Sequence, residues 1–241
     1  MKKNTAAKKE DKSSPRLQKT KPVFVYGNYR KYYGYRLNHT MEEDPRLKVF
    51  KREWFENKDC LDIGCNQGLV TINIAKKFHC QSIVGIDIDR GLVEDAKCNL
   101  RNMARKKQSQ EILAKVSVPD GSNTGDLTDL KVPRTSNEEN LNTQSCSSQD
   151  LLQRVSFRCE NFVENMRGGS VKYDTILCLS VTKWIHLNWG DDGLVTLFVK
   201  MWRLLKPGGV LLLEPQPWTS YKNNRLVSEV MTIYLLYNTS D

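Results

Sequence analysis

Apolar and polar positions fall into blocks with two different periods along the chain. Cys60-Leu61-Asp62-Ile63 is a short apolar run ending at Gly64, and Ser82-Ile83-Val84-Gly85-Ile86-Asp87 is another ending in an acid. Runs of this length, apolar on both faces, predict buried strands with functional carboxyl ends. Asp89 is placed to cap a following helix that carries Leu92, Val93, Ala96, Leu100 and Met103 on one face. Residues 107–149 are polar, with Pro119-Asp120-Gly121-Ser122-Asn123 and Ser145-Cys146-Ser147-Ser148 among them. That composition and length predict a disordered insertion. Val155 to Cys159 and Tyr173 to Ser180 read as further strands. A helical stripe of Leu194, Leu197, Phe198, Met201 and Leu205 is stopped by Lys206-Pro207-Gly208-Gly209 and followed by the strand Val210 to Glu214. Strands alternating with helices predict an α/β fold with a mostly parallel sheet and right-handed connections. Ligands of such sheets sit at the strands' carboxyl ends, where the distinctive residues of this sequence fall.

Composition narrows the class. The 241 residues are 39% hydrophobic, enough for one substantial core. No run reaches the roughly 18 to 20 apolar residues of a membrane span, and the chain starts on a polar stretch, so neither a membrane nor a secreted protein is expected. Seven irregularly spaced cysteines without a secretory context predict reduced thiols. Cys60, Cys65, His79 and Cys80 form no CxxC pair, and core or loop packing accounts for them better than zinc. The net charge of +9 is segregated: residues 1–52 hold 15 Lys/Arg against 5 Asp/Glu, while the rest holds 22 against 23. Residues 1–21 lack apolar periodicity and are expected to be a disordered basic tail. Two readings of that tail stand side by side, a contact to nucleic acid through counterion release and a solvated tail or import signal.

Leu61-Asp62-Ile63-Gly64-Cys65-Asn66-Gln67-Gly68 follows a strand and opens a helix, with neither GxGxxG spacing nor a P-loop ending. Asp87 stands 23 residues after Gly64 at the end of the next predicted strand, where a carboxylate can accept both hydroxyls of an adenosine ribose. Together with Leu205-Lys206-Pro207-Gly208-Gly209 before a later strand, these residues resemble the class I (Rossmann-like) S-adenosylmethionine-dependent methyltransferases. The methyl acceptor is narrowed at the fourth strand. Leu179-Ser180-Val181-Thr182-Lys183-Trp184 is not an Asn/Asp-Pro-Pro-aromatic box, there is no Pro-Cys dipeptide, and of a Lys-Asp-Lys-Glu set only Lys183 and Glu214 can be placed, with Ser180 where the acid is needed. What remains is an acceptor that requires little deprotonation. A terminal phosphate fits, since its second pKa is about 6; the protein then only aligns the reacting atoms and neutralises charge.

Tyr26 to Arg36 places five tyrosines among three cations, and Tyr29, Arg30, Lys31 and Arg36 are candidate RNA contacts. Rings stack on unpaired bases while cations hold phosphates; the competing reading is an aromatic lid on the core. Thr182 to Asp191 forms a second dense cluster. Its Lys183 is placed to hold a phosphate, and Trp184 and His186 are further candidate contacts, although a lone histidine is more often packed.

Tyr26 to Arg36, Leu61 to Asn66, Gly85 to Asp89, Leu177 to Ser180 with Thr182 to Asp191, and Leu213-Glu214-Pro215-Gln216-Pro217-Trp218 resemble the bicoid-interacting-protein methyltransferases. The resemblance implies methyl transfer from S-adenosyl-L-methionine to the 5′ γ-phosphate of a small nuclear RNA. It implies a cofactor site of Tyr33, Arg46, Gly64, Cys65, Asn66, Asp87, Ile88, Asn161, Phe162 and Leu179, with Tyr32 and Lys183 on the terminal phosphate and no metal. Phe162 stands where the family carries tyrosine. A nuclear setting, a 7SK-like RNA with a 5′ triphosphate and a La-related protein in the same ribonucleoprotein are implied in the same way. The family fold continues beyond the fifth strand, so residues 22–241 are expected to form a methyltransferase domain lacking its C-terminal strands, with a helix starting near Val227. Methylation of 5′ monophosphates, and RNA binding without turnover, are the competing functions.

Overall fold

A computed structural model describes residues 24–30, 43–116, 148–165, 171–222 and 224. The basic tail, Lys31, Tyr32, Tyr33 and Arg36, most of the insertion and the segment from Val227 onward lie outside these residues. Among the described residues, β1 (Asp59–Ile63), α2 (Leu69–Phe78), β2 (Ser82–Asp87), α3 (Arg90–Val116), α4 (Ser148–Arg154), β3 (Val155–Cys159), β4 (Tyr173–Leu179), α5 (Thr182–Leu204), β5 (Leu205–Glu214) and α6 (Trp218–Lys222) follow a short α1 (Arg46–Val49). The strands form one sheet in the order β3-β2-β1-β4-β5, with every pair parallel. Strand order reverses direction between β1 and β4, and the crevice at the carboxyl ends there is where this architecture takes its ligand.

Alternation along β1 divides the core. Cys60 faces a layer with Ile72, Ile74, Val93, Ala96 and Phe157, under α2, α3 and α4. Leu61 and Ile63 face the opposite layer, with Ile176, Cys178, Ile185, Leu197 and Met201, under α5. Burial on both faces explains why β1 reads as a continuous apolar run, and Asp62, buried within it, is its polar exception.

Four boundaries differ from those the sequence predicts. Helix α3 starts at Arg90, where the Asp89 carboxylate accepts from the backbone N–H of Gly91 at 2.7 Å and of Leu92 at 3.1 Å, but it continues to Val116. Residues 107–116 are therefore helical rather than part of an unstructured insertion, because Lys, Gln, Glu, Ile, Leu and Ala follow one another with no glycine or proline to stop the helix. At the far side of the segment, Ser148 and Gln149 belong to α4. Helix α5 begins at Thr182, not near Leu194, and bends at Gly190 (φ 62°, ψ −160°). Strand pairing resumes at Leu205, opposite Tyr173, and three extra residues bulge out before Val210 pairs with Thr175. Gly209 sits so close to the Asp174 carbonyl oxygen that a Cβ would lie 2.8 Å from it, so the Pro-Gly-Gly run shapes a bulge within the strand as well as ending a helix.

Candidate active site

A cleft of about 920 Å³, counted to its open mouth, lies over the carboxyl ends of β1, β2 and β4. Its floor is the turn after β1. Gly64 adopts φ 74° and Asn66 φ 51°; a Cβ on Gly64 would also stand 2.3 Å from the Val181 side chain, so glycine is required there by conformation and by packing. The turn is tied to β2 by Gly64 and Cys65 N–H donating to the Ile86 carbonyl at 2.8 and 2.9 Å.

Asp87 ends β2 in the cleft wall. One carboxylate oxygen accepts from Asn66 N–H and the other from Asp89 N–H, each at 2.9 Å. Burial pushes its pKa up, and the two backbone bonds pull the other way. Each oxygen keeps a second lone pair for an outside hydroxyl.

Asp62 is buried beneath the cleft floor, and burial raises its carboxyl to about 6 against the opposing effects of the Thr71 hydroxyl, which donates to it at 2.6 Å, and of the Arg46 cation. Because the folded value lies above the unfolded one, near 3.9, the stability Asp62 contributes is complete below about pH 4 and is lost as pH rises through about 6. Urea titrations from pH 4 to 8 are expected to show wild type losing stability relative to Asp62→Asn across that window. A difference that does not vary with pH would contradict this assignment.

The opposite wall is a chain of polar contacts reaching β5. Arg46 forks onto Asp44 at 2.9 and 2.7 Å and reaches Glu214 at 3.2 Å. The Ser180 hydroxyl donates to the same Glu214 carboxylate at 2.7 Å. Ser180 takes φ 61°, and its carbonyl accepts from the Gln216 amide. Gln216 in turn accepts from Lys183 N–H at 3.2 Å and the Thr182 hydroxyl at 3.3 Å. Glu214 is thus paired with Arg46 and accepts from Ser180, an arrangement that positions both.

Lys183 occupies the first turn of α5. Its side chain is buried, with 5% exposure, and its ammonium lies 4.2 Å from the centre of the Trp184 ring. Among the described residues it has no anionic partner, and desolvation alone lowers its pKa. Such a site favours the arrival of an anion.

Phe24 to Arg30 crosses the cleft as a strap. Asn188 donates to the Val25 carbonyl at 2.9 Å, Tyr26 stacks on Trp189 with centroids 5.8 Å apart, and Asn28 donates to Asp89 at 2.5 Å. Gly27 (φ 68°) lies against Trp184, where a Cβ would stand 2.1 Å from the indole. At the remaining side, Lys200 from α5 donates to the carbonyls of Phe162 and of Asn165, the latter at 2.6 Å, and so holds the loop after β3 to the cleft.

Of the residues expected at the cofactor, Arg46, Gly64, Asn66, Asp87, Ile88, Asn161, Phe162 and Leu179 line the cleft. Cys65 does not present its side chain there: the thiol is buried in the core layer beside Phe157, burial raises its pKa, and its part is played by the backbone. Asn161 spends its side-chain oxygen on the N–H groups of Val163 and Glu164. Tyr29 packs between Phe24 and Trp184. His186 pairs with Asp191 at 2.8 Å and stands edge-on to Tyr221 at 5.5 Å, outside the cleft lining. Trp184 lines the cleft, with 8% exposure, as part of its wall. Tyr26, Asn28, Asp62, Ser180 and Trp189 also line it, and the sequence reading assigned none of them to the cofactor. In the sequence Tyr26 and Asn28 stand within the tyrosine-rich run, and Asp62 within the glycine motif at the end of β1.

The strand order, the glycine turn after β1 and the acid ending β2 define a class I methyltransferase fold. The cleft's chemistry suits S-adenosylmethionine: Asp87 offers acceptors to ribose hydroxyls, and Ile88, Phe162 and Leu179 offer apolar surface to a base. A family model described as Bicoid-interacting protein 3 (Bin3) matches residues 173–237. The chain is 55% identical over 212 residues to an Arabidopsis thaliana protein named "Probable RNA methyltransferase", covering 88% of this chain and 66% of that one. It is 38% identical to the human 7SK snRNA methylphosphate capping enzyme, covering 92% of this chain and 34% of the relative. It is 37% identical to the Drosophila melanogaster U6 snRNA methylphosphate capping enzyme Amus, covering 86% and 58%. The chain belongs to the Bin3 family, and it spans from about a third to about two thirds of the length of these relatives.

Proposed function

We propose that this chain transfers a methyl group from S-adenosylmethionine to the terminal phosphate at the 5′ end of an RNA, with the γ-phosphate of a small nuclear RNA as the acceptor. The observation that carries this reading is Lys183, a buried cation without a described counter-ion, on the helical turn whose neighbours Ser180, Val181, Trp184 and Ile185 line the cofactor cleft. When bound, S-adenosylmethionine supplies an electrophilic methyl carbon on a sulfonium. Lys183 holds the phosphate and offsets the cost of bringing its charge out of water, and Tyr32 is assigned beside it by the family resemblance. Asp87 and the glycine turn hold the adenosyl end, the strap screens the cleft from water, and Glu214 keeps Arg46 and Ser180 in place. No side chain has to remove a proton, because the phosphate oxygen is already anionic near neutral pH.

The names of the human and fly relatives support a small nuclear RNA with a 5′ phosphate end. A nuclear setting and assembly with a La-related protein belong to the same proposal and rest on the family resemblance. Among the described residues no helix is long and apolar enough to cross a membrane.

The test is incubation with methyl-labelled S-adenosylmethionine and three RNAs of one sequence bearing 5′-triphosphate, 5′-monophosphate or 5′-hydroxyl ends. Label is expected on the triphosphate RNA and absent from the hydroxyl RNA. Label on the monophosphate RNA alone would reassign the acceptor, and equal label on all three would place the methyl group away from the phosphate.

A further inference from the structure

The near balance of charge over residues 53–241 conceals a local concentration on α3. Between Arg90 and Lys107 the chain carries Arg90, Lys97, Arg101, Arg105, Lys106 and Lys107 against only Glu94 and Asp95. At about 100° per residue, Arg90, Lys97, Arg101 and Arg105 fall within about 80° around the helix axis, in a stripe about 22 Å long. Side-chain contacts agree with this geometry. Glu94 pairs with Lys97 at 2.9 Å and also feels Arg101 and Arg90, so the three cations share one face. Asp95 is drawn off that face to accept from the Gln67 amide at 3.2 Å. Leu92, Val93, Ala96, Leu100 and Ala104 bury the neighbouring face, centred about 120° around the axis from the stripe. Arg90, Arg101, Arg105 and Lys106 are exposed, and among the described residues no carboxylate forms an ion pair with them.

The stripe begins at the rim of the cleft. Asp87 and Ile88 line the cleft, Asp89 caps α3 and binds Asn28, and the Arg30 guanidinium lies so near Gly91 that a Cβ there would be 2.8 Å from it. As the crossover helix between two parallel strands, α3 runs back from their carboxyl ends, so the cations lead away from the cleft along the flank of the domain.

We propose that the outer face of α3 is a second RNA-contact surface, holding backbone phosphates of the RNA beyond the 5′ end that the cleft receives. Only the placing of the 5′ end in the cleft rests on the function proposed above. Successive cations at i and i+4 stand about 6 Å apart along the axis, a spacing suited to consecutive phosphates. Contacts of this kind carry no base specificity and depend strongly on salt. A membrane surface fits poorly, since among the described residues no exposed large apolar side chain of α3 stands beside the cations.

The full chain with Lys97→Glu, Arg101→Glu and Arg105→Glu together, three cations of the stripe, compared with wild type, tests this. The probe is a stem-loop RNA with a 5′-hydroxyl end, titrated by filter retention at several salt concentrations. The variant is expected to bind about 10- to 100-fold more weakly at low salt, with a log affinity against log salt slope shallower by about 2. Methyl transfer to a 5′-triphosphate oligonucleotide of about four residues, too short to reach the stripe, should stay within about twofold of wild type. Unchanged affinity and slope would overturn the proposal, as would an equal loss on the short oligonucleotide. Competition by polyglutamate as effective as RNA at equal charge would also overturn it, in favour of an acidic protein surface. Wild type that fails to methylate the short oligonucleotide, while the stem-loop still separates the two proteins, would remove the proposed reaction and support the α3 surface.

Discussion

Lys183→Ala is expected to lower methyl transfer by about 10² to 10³-fold, the range found when one preorganised electrostatic contact to a reacting group is removed. The reason is specific to the site. The ammonium is buried beside Trp184 and feels desolvation without a compensating carboxylate, so the unloaded protein tolerates a charge whose stabilisation arrives with the phosphate. Removing the charge should leave the fold intact or slightly stabilised, because no ion pair is broken among the described residues. Cofactor affinity should change by no more than about twofold, since the Lys183 side chain is not part of the cleft lining. Single-turnover kinetics with labelled S-adenosylmethionine, and calorimetry with S-adenosylhomocysteine, read the two quantities separately. Equal losses in turnover and cofactor binding would remove Lys183 from the phosphate. Lys183→Arg keeps the charge but not the compact ammonium, and should recover only part of the rate.

Asp87→Ala is expected to have the complementary profile, with cofactor affinity falling by about 100-fold or more. Two causes add. A ribose loses its acceptor, and the N–H groups of Asn66 and Asp89 lose the carboxylate that each now contacts at 2.9 Å. Leaving a buried donor unpaired costs about 1 to 3 kcal/mol, and both donors belong to loops that form the cleft. Asp87→Asn should be milder, since its amide keeps one acceptor while its NH₂ opposes the second N–H. The raised pKa of Asp87 gives a further expectation. Protonation removes acceptor capacity, so cofactor affinity should weaken as pH falls, and the alanine variant should lose that dependence. Calorimetric titration of S-adenosylhomocysteine across pH checks both points. An affinity within threefold of wild type would show that Asp87 shapes the turn without holding the ribose.

Much of this arrangement is legible in the sequence. The strands β1, β2 and β5 are readable because each holds a short apolar run closed by glycine or an acid, and Asp87 stands out because a carboxylate ending such a run has few structural reasons to be there. Lys183 was legible from its place directly after a strand. The bend in α5 was not: Gly190 lies between two helical segments, and the first of them, Thr182 to Trp189, alternates tryptophan, leucine, asparagine and histidine without a clean apolar stripe. Its faces are shared among the cleft, the strap and the core, so no single period describes it.

The strap shows the same limit. Tyr26, Gly27, Asn28 and Tyr29 read either as RNA-facing or as an aromatic lid, and in the fold Tyr29 is packed on Trp184 and Asn28 is bound to Asp89. Aromatic residues among cations have the same composition whether they face solvent or cover a cleft. Contacts made 60 or 160 residues away in sequence decide between the two.

By itself the sequence determined the α/β alternation, the glycine turn, the acid at the end of β2 and the cation after β4. These depend on local period and on chemistry that few residue types can supply. Only the tertiary structure decided which neighbours each charge has. Glu214 pairs with Arg46 and accepts from Ser180, both from distant segments, Cys65 turns into the core, and Lys183 is left without a described counter-ion. The basic face of α3 likewise vanishes in a charge count and appears only when the helix places one arginine above the next. Composition conserves the number of charges, whereas folding sets the distances between them, and function follows the distances.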